Sequence, residues 1–245
     1  MAKLAREIYR RLFLRDRENL VAFDDVYDTM ARLLAGVDVT GILDAGASDG
    51  RVTKKLLRCF PKATAYGFEP NVPQYGEAWR TLTAEDKRLR IEHAALADEE
   101  GELELHVAQG VGPTSLFRPR ARYLEMYPEQ TPVERVDKVP VVRLDDWLAS
   151  HGSPTIQLMK FDIQAAELRA MKGAEKTIRN DVLAIYTEVF FNPMYEGGAI
   201  YSEIDLFLRG CGFSLYNLYK PRADGRGMLE QGNAIFVNPE RLALA

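Results

Sequence analysis

The stretch "GILDAGASDGRVTKKLLRC" (41–59) decides the fold of this chain. It opens with a short apolar segment, passes through Gly46 and Gly50, and continues with apolar residues at helical spacing. A short apolar run bounded by turn residues predicts a buried strand, and glycines allow the chain to reverse sharply. The stretch therefore predicts a strand, a turn and a helix, which is the first unit of an α/β fold.

The same unit recurs along the chain. The sequence predicts further strands in "ATAYGFEP" (63–70), "LRIEHAAL" (89–96), "GELELHV" (101–107), "TIQLMKFD" (155–162) and "VLAIYTEVFF" (182–191), and helices over 73–83, 164–178 and 200–212. A strand followed by a short helix is predicted in "VPVVRLDDWLAS" (139–150). Residues 110–140 are rich in proline, which predicts a loop with a short helix. The last two apolar segments, 213–219 and 232–238, predict a hairpin. Alternating strands and helices favour a mostly parallel sheet with helices on both faces.

Apolar residues at helical spacing also precede this pattern. Leu4, Ile8 and Leu12 form one stripe, and Val26 and Met30 belong to a second one. We therefore predict a helical N-terminal extension over residues 1–38, followed by one α/β domain over residues 39–245. The first stripe also suits pairing of two copies into a homodimer.

Composition excludes several classes of protein. The chain has 245 residues, of which 47% are apolar and 28% charged, and a net charge of −4. This acidic balance argues against a nucleic-acid partner, which selects for a basic face. No apolar run is long enough to span a bilayer, and the N-terminus lacks the apolar core of a signal peptide. Two distant cysteines, Cys59 and Cys211, favour a reducing compartment, so we expect a cytoplasmic location.

Two junctions carry the functional residues, and the first follows the strand at 41–45. Ligands of open α/β sheets bind at the carboxyl ends of the strands. Asp44, Gly46 and Gly50 lie there in the spacing D-x-G-x-x-x-G, and Glu69 ends the next strand, where an acid can accept both ribose hydroxyls of a nucleoside. This pattern predicts a nucleoside-containing cofactor.

The charges in the first junction distinguish two cofactor classes. A dinucleotide site requires G-x-G-x-x-G, which is absent, and Asp44 and Asp49 would repel a pyrophosphate. S-adenosylmethionine carries a sulfonium and an ammonium instead, so the acids favour it over NAD. Ala95, a small residue near the end of the third predicted strand, leaves room for an adenine.

The second junction lies within "LMKFDIQAAELRAMKGAEK" (158–176). Asp162 stands where strand becomes helix, and Lys160 lies two positions earlier on the same face of the strand, where it can pair with a carboxylate. Glu188 lies toward the end of the next strand. Asp162 could instead cap the following helix, and Glu188 could form a strand-end salt bridge.

Taken together, "VVRLDDWL", "KFDIQAAELRAMKGAEKTI", "YTEVFFNPMYEG" and "GFSLYNL" closely resemble the FkbM family of class I S-adenosylmethionine-dependent methyltransferases. The resemblance runs from about residue 39 to residue 238 with every motif in the family's order. It implies a Rossmann-like sheet of seven strands, S-adenosyl-L-methionine as cofactor, and methyl transfer to a hydroxyl of a sugar, glycan or natural product.

The resemblance also assigns roles to individual residues. The predicted cofactor residues are Asp44, Gly46, Ser48, Asp49, Gly50, Glu69, Ala95 and Asp162. The predicted catalytic residues are Asp162, Glu188 and Lys160, with Asp162 orienting the acceptor hydroxyl or the amino acid part of the cofactor and Glu188 as candidate base. Ser115, Gln164 and Glu167 are predicted substrate contacts, and no metal is expected.

One departure from the family pattern K-x-D-x-E-G-x-E stands out. Gln164 replaces the middle glutamate, and Ala165 replaces the glycine after it, which adds a methyl group where the backbone is expected to pass close to substrate. A catalytically weakened cofactor-binding module is therefore the alternative to an enzyme, and an NAD-dependent oxidoreductase is a weaker one. The aromatic residues Phe117, Tyr123 and Tyr127 suit a lid over the site, or a surface loop held by prolines.

Overall fold

The computed structural model of the chain describes residues 24–110 and 112–244. The predicted helix with Leu4, Ile8 and Leu12, and the dimer surface expected on it, lie outside the described residues. No helix within 24–110 or 112–244 is long and apolar enough to cross a membrane.

The described helices are α1 (Val26–Leu33), α2 (Arg51–Cys59), α3 (Val72–Glu85), α4 (Ala121–Met126), α5 (Leu144–Ser150), α6 (Glu167–Gly173), α7 (Glu175–Asn180) and α8 (Tyr201–Gly210). The strands are β1 (Gly41–Ala45), β2 (Thr64–Phe68), β3 (Leu89–Glu92), β4 (Ala95–Leu96), β5 (Gly101–Ala108), β6 (Val133–Val142), β7 (Leu158–Phe161), β8 (Ala184–Phe190), β9 (Ser214–Ala223) and β10 (Leu229–Val237).

Seven strands form one sheet in the order β3-β2-β1-β7-β8-β10-β9. The strands from β3 to β8 pair in parallel, whereas β10 runs antiparallel to both of its neighbours. The prediction of a seven-stranded, mostly parallel sheet ending in an antiparallel hairpin is confirmed. The carboxyl ends of β1, β2, β7 and β8 lie along one edge, which is where such sheets bind ligands.

Apolar residues cover both faces of this sheet. Every residue of β1, β7 and β8 is buried. Leu43 belongs to an apolar cluster on one face with Met159 and Ile185, whereas Ile42 belongs to a cluster on the other face. Continuous apolar strands are typical of a sheet that is covered on both sides. Helix α1 packs in the second cluster through Val26 and Met30, so it shares the core of the α/β domain.

The prediction of one strand over 89–96 was wrong. Strand β3 ends at Glu92 because its partner β2 ends opposite it at Phe68. Strand β4 then joins a separate sheet of three strands in the order β4-β6-β5. The strand predicted at 139–142 is the end of β6, which already begins at Val133, inside the segment predicted as a loop, because its first residues are mostly charged and exposed.

The single helix predicted over 164–178 was also wrong. Gln164 and Ala165 have φ angles of +56° and +71°, in the left-handed region that a right-handed helix excludes. Helix α6 therefore begins at Glu167, and it ends at Gly173 before α7. The alternative role of Asp162 as a helix cap was wrong as well, because the residue that caps α6 is Ala166.

Candidate active site

The two junctions predicted from the sequence meet at the edge of the sheet. Asp162 donates its backbone N–H to the carbonyl of Ala45 at 3.1 Å. At Gly46, which has a φ of +74°, a Cβ atom would lie 2.1 Å from the carbonyl oxygen of Asp162. Only glycine allows this approach, because a side chain here would strain the turn and collide with the end of β7. The end of β1 is therefore held against the end of β7.

The turn after Gly46 is held against β2 and α3. Ser48 donates its backbone N–H to Glu69 Oε2 at 2.9 Å, and its carbonyl accepts from the indole of Trp79 at 2.7 Å. At Gly50, a Cβ atom would lie 2.4 Å from Leu82. Asp49 lies at the surface of the turn and pairs with Arg51. The predicted cofactor residues of this turn therefore form one folded loop.

Glu69 is the acid at the end of β2. It is 6% exposed, and its second oxygen accepts the backbone N–H of Asn71 at 2.8 Å. Burial raises the pKa of Glu69 above its ordinary value, against the opposing effect of these two N–H donors. Each oxygen has a second lone pair, so a carboxylate fixed in this way can still accept hydrogen bonds from a ligand.

Asp44 lies beneath the turn. It is fully buried, its Oδ2 accepts the hydroxyl of Thr53 at 2.5 Å, and its Oδ1 lies 2.9 Å from Lys160 Nζ. Lys160 also donates to the carbonyl of Gly46 at 2.8 Å. Burial lowers the pKa of Lys160, but the carboxylates of Asp44 and Asp162 more than offset this effect, so the pKa is raised. The predicted pairing of Lys160 with a carboxylate is observed, and it places both residues in support of the turn.

A cavity of about 380 Å³ opens above this turn, and we call it the cofactor cavity. Its acidic residues are Asp49, Glu69 and Asp162, and Lys160 lies at its base. Its apolar wall comes from both sheets and consists of Phe68, Ala95, Leu96 and Leu105. Asp44 is absent from its lining. The cavity therefore combines an apolar wall with acids at the strand ends.

Gln164 connects the acids of the second junction. Its side-chain Nε2 donates to Glu188 Oε2 at 2.6 Å and to Asp162 Oδ1 at 3.3 Å. Its Oε1 accepts the hydroxyl of Tyr195 at 2.8 Å and that of Tyr123 at 3.3 Å. All the hydrogen-bonding groups of this buried amide are used, which fixes the position of both carboxylates.

The methyl group of Ala165 does not lie near the cofactor cavity. Ala165 is 2% exposed, and a Cβ atom added to Gly198 would lie 2.6 Å from the methyl carbon. The methyl group therefore packs beside Gly198, and an approach of the Ala165 backbone to substrate stays a prediction. Replacing glycine at a left-handed φ costs about 1–2 kcal/mol, and the packing and hydrogen bonds of this loop hold Ala165 there.

Glu167 lies at the start of α6, and it lines neither the cofactor cavity nor the smaller cavity beside it. It is fully buried, and its Oε1 accepts the backbone N–H of Ile163 at 2.9 Å. Its Oε2 has no hydrogen-bond partner among the described residues. Burial raises the pKa of Glu167 to about 7. Its observed contacts hold the loop from Ile163 rather than a ligand.

Ser115 ties the aromatic segment to this loop. Its hydroxyl donates to the backbone carbonyl of Gln164 at 2.6 Å, and it lines the cofactor cavity. Tyr123 is buried and packs with Phe190 and Tyr195, and Phe117 and Tyr127 contact the same cluster. The aromatic segment packs as a wall beside the cofactor cavity. Its movement as a lid stays a prediction.

A second cavity, of about 220 Å³, adjoins the first and shares Val52, Lys160 and Asp162 with it. The rest of its lining consists of Tyr27, Tyr186, Glu188, Lys220, Arg222, Gln231 and Asn233. Glu188 is 8% exposed, and burial together with Asp162 and Glu167 raises its pKa well above the ordinary value. No salt bridge of Glu188 occurs within the described residues, so that alternative finds no support.

The residues 44–215 match the family model described as the methyltransferase FkbM domain. The chain belongs to this family. It is 30% identical over 163 residues to the 2-O-methyltransferase NoeI of Sinorhizobium fredii, a match that covers 64% of this chain and 65% of NoeI. The chain thus spans slightly less than two thirds of that relative.

Two solved structures resemble the fold. The methyltransferase FkbM of Methylobacillus flagellatus matches with a TM-score of 0.51 at 14% identity, over 82% of this chain and 44% of that one. The magnesium protoporphyrin IX methyltransferase of Synechocystis PCC 6803, solved with bound SAM, matches with a TM-score of 0.47 at 12% identity, over 97% of both chains.

The cofactor of this FkbM-family chain is S-adenosyl-L-methionine, and the residues present suit it. Glu69 can accept ribose hydroxyls, Phe68 and Ala95 can cover an adenine, and Asp162 can pair with a cation. Gly46 provides the cradle that any Cβ would fill. Within the described ranges, no group of three or more histidines, cysteines or acids could hold a metal ion.

Several residues that support or line the site are not predicted by the sequence. Tyr195 lies in the quoted segment "YTEVFFNPMYEG", but nothing in its spacing indicates that it binds Gln164. The terminal hairpin contributes four residues to the second cavity, Lys220, Arg222, Gln231 and Asn233. The sequence predicts this hairpin but assigns it no contact with a ligand. The sequence feature that could have indicated these residues is a group of polar and basic side chains in two strands that border a buried sheet.

Proposed function

We propose that this FkbM-family chain is an O-methyltransferase that acts on a hydroxyl group of a sugar or another polyhydroxylated small molecule. The observation that carries the proposal is the pair of adjoining cavities, which share Lys160 and Asp162 at the carboxyl end of β7. The naming of the relative NoeI as a 2-O-methyltransferase supports oxygen as the atom that receives the methyl group.

S-adenosylmethionine would supply a methyl group bound to a cationic sulfur. The chain's own task is then to hold an acceptor hydroxyl beside it, and fixing two reactants near attack geometry is worth roughly 7–11 kcal/mol in favourable cases. In our proposal Glu69 accepts ribose hydroxyls, and Asp162, which faces both cavities, orients the acceptor hydroxyl.

Glu188 is the proposed general base. Its Oε2 is held by Gln164, and its Oε1 has no hydrogen-bond partner within residues 24–110 and 112–244. A carboxylate with a raised pKa holds a proton more readily near neutral pH, and a base with a pKa near the working pH is the most effective. His106, the other side chain near the site that could accept a proton, lines neither cavity.

Calorimetric titrations with S-adenosylmethionine, S-adenosylhomocysteine and NAD would test the cofactor site. We expect binding of the first two and none of NAD, and Glu69→Gln should weaken binding roughly tenfold because one ribose acceptor is lost. Binding of NAD alone would indicate an oxidoreductase instead.

Release of S-adenosylhomocysteine in the presence of a panel of sugars would test turnover. Glu188→Gln should lower kcat by roughly 10²–10⁴-fold, the usual contribution of a general base, and leave the affinity for S-adenosylmethionine unchanged. Tight cofactor binding without methylation of any hydroxyl compound would favour the binding module.

A further inference from the structure

The lining of the second cavity includes polar and basic residues to which the proposed methyl transfer assigns no role. Its floor holds Asp162 and Glu188, and its outer wall is built from the terminal hairpin of β9 and β10. Asn233 lies directly opposite Glu188 in the β8–β10 ladder. A molecule that places a hydroxyl at Glu188 must therefore also contact the hairpin.

Gln231 provides an independent sign of a ligand. Its side chain is 7% exposed, it lines the second cavity, and its Oε1 has no hydrogen-bond partner among the described residues. Leaving a buried amide oxygen without a donor destabilises the folded protein. A ligand hydroxyl would supply the missing donor, and Asn233 offers a second amide beside it.

A bulge in the hairpin brings two cations to the same cavity. Between the pairs Gln231↔Arg222 and Asn233↔Tyr219, β9 has one residue more than β10. Lys220 lies in this bulge with a φ of +46°. A Cβ atom at Gly232 would lie 3.2 Å from the carbonyl oxygen of Tyr219, so glycine lets β10 approach the bulged strand closely. Bulges redirect side chains and are common beside active sites. Lys220 and Arg222 both line the second cavity.

These two cations lack an acidic partner. No salt bridge of Lys220 or Arg222 occurs in the described part of the chain, whereas Arg226 on the same hairpin pairs with Asp224. Lys160 is already bound to Asp44. The second cavity therefore has acids at its floor and two available cations at its exposed wall.

We propose that the second cavity binds an acceptor that carries an anionic group, a carboxylate or a phosphate, as well as the hydroxyl that is methylated. Lys220 and Arg222 bind the anion, Gln231 and Asn233 bind neighbouring hydroxyls, and Glu188 faces the reacting hydroxyl. The inference rests on the proposed function and narrows its substrate class to acidic sugars and related hydroxylated anions.

The test uses the full chain saturated with S-adenosylhomocysteine and four probes of similar size. Glucuronate and glucose 6-phosphate carry the two anions, methyl glucoside is neutral, and glucosamine is cationic. Saturation-transfer NMR titrations give the four affinities. We expect at least one anionic probe to bind roughly tenfold or more tightly than methyl glucoside, since each exposed ion pair contributes up to about 1 kcal/mol. The two anionic probes distinguish carboxylate from phosphate.

Arg222→Gln and Lys220→Gln should each weaken binding of the preferred anionic probe by roughly threefold to fivefold and leave methyl glucoside unaffected. Arg226→Gln is the matched control, because Arg226 lies on the same hairpin outside the cavity. Unchanged affinity for S-adenosylhomocysteine would show that each variant is folded.

The proposal is overturned if neither anionic probe binds at millimolar concentration, if methyl glucoside binds as tightly as both, or if the variants at 220 and 222 bind like the control. Methylation of neutral sugars alone would also overturn it, but would leave the proposed function intact. If S-adenosylhomocysteine itself does not bind, the proposed function fails first.

Discussion

Gln164 is the residue on which the geometry of the two acids depends. A glutamate at this position would have no N–H to donate to Asp162 and Glu188, and it would place a third carboxylate between them. The amide of Gln164 instead donates to both acids and accepts a hydrogen bond from the Tyr195 hydroxyl. The replacement at this position thus gives the two acids a donor that the family's usual residue lacks.

We predict that Gln164→Glu lowers the free energy of unfolding by about 1–3 kcal/mol at pH 8, because two buried hydrogen bonds are lost and like charges meet. The loss should shrink toward pH 5 as the added carboxyl becomes protonated. Urea unfolding at both pH values measures it. Gln130→Glu, at an exposed position, serves as the control. An equal loss at pH 5 and pH 8 would contradict the role of the charge.

Glu167 gives the stability of the protein a pH dependence of its own. Its folded pKa is raised to about 7, above the value of about 4.3 expected in the unfolded chain. A group with a raised folded pKa binds more protons in the native state between these values. Its contribution to stability is therefore complete below about pH 4.3 and is lost as the pH rises through about 7.

We predict that Glu167→Gln, which stays neutral, becomes more stable relative to the natural chain by roughly 3 kcal/mol between pH 4.5 and pH 7.5. Chemical unfolding across this range gives the two profiles. Glu85→Gln, at an exposed site on α3, should run parallel to the natural chain. Parallel profiles for Glu167→Gln as well would mean that the carboxyl is ionised when folded at all these pH values.

At the scale of elements, one buried polar group joins two strands and a helix. Asp44 in β1 accepts from Thr53 in α2 and pairs with Lys160 in β7. Lys160 also binds the carbonyls of Ala45 and Gly46, where β1 ends. The turn of the cofactor cavity is therefore positioned by an ion pair beneath it as well as by its glycines.

We predict that Lys160→Met destabilises the fold by about 3–5 kcal/mol, because Asp44 would remain as a buried charge without its partner. Asp44→Asn added to Lys160→Met should recover about half of this loss, since the charge itself is then removed. Urea unfolding of both variants measures the difference. A loss below about 1 kcal/mol in Lys160→Met would show that the pair does not hold these elements together.

At the scale of the whole molecule, both sheets contribute to the cofactor cavity. Ala95 and Leu105 come from the three-stranded sheet, whereas Phe68 and Glu69 belong to the edge of the seven-stranded one. Residues 112–116 cross between them and reach Gln164 through Ser115. A ligand in this cavity would therefore contact both sheets and the segment that connects them.

We predict that S-adenosylhomocysteine at about 100 times its Kd raises the free energy of unfolding by roughly 2.7 kcal/mol. Hydrogen exchange should slow at the turn 46–50, in β5 and in the segment 112–117 together. The terminal segment 239–244, far from the cavity lining, should exchange as before. Protection of the turn alone would show that the second sheet takes no part in binding.

The alternation of strands and helices and the edge that carries the site were predicted from local pattern, whereas the order of the strands in the sheet was not. Buried apolar runs such as β1 and β8 alternate with amphipathic helices. The glycines of "LDAGASDG" lie where the turn leaves no room for a Cβ atom. Strand β6 was predicted only over its last residues, 139–142, because its first residues are mostly exposed and contain no apolar run. The side-chain pattern over 164–178 predicts one continuous helix, but the left-handed φ angles at Gln164 and Ala165 exclude these two residues from it.

The sequence by itself determined the fold class, the meeting of the two junctions and the acids that surround the cofactor cavity. Short-range periodicity and turn chemistry depend only on neighbouring residues, and the carboxyl ends of parallel strands share one edge. The tertiary structure alone decided that Asp44 and Glu167 are buried supports, that Gln164 binds both acids, and that the terminal hairpin lines the second cavity. These contacts join residues far apart in the chain, and only packing of the folded sheet brings them within hydrogen-bonding distance.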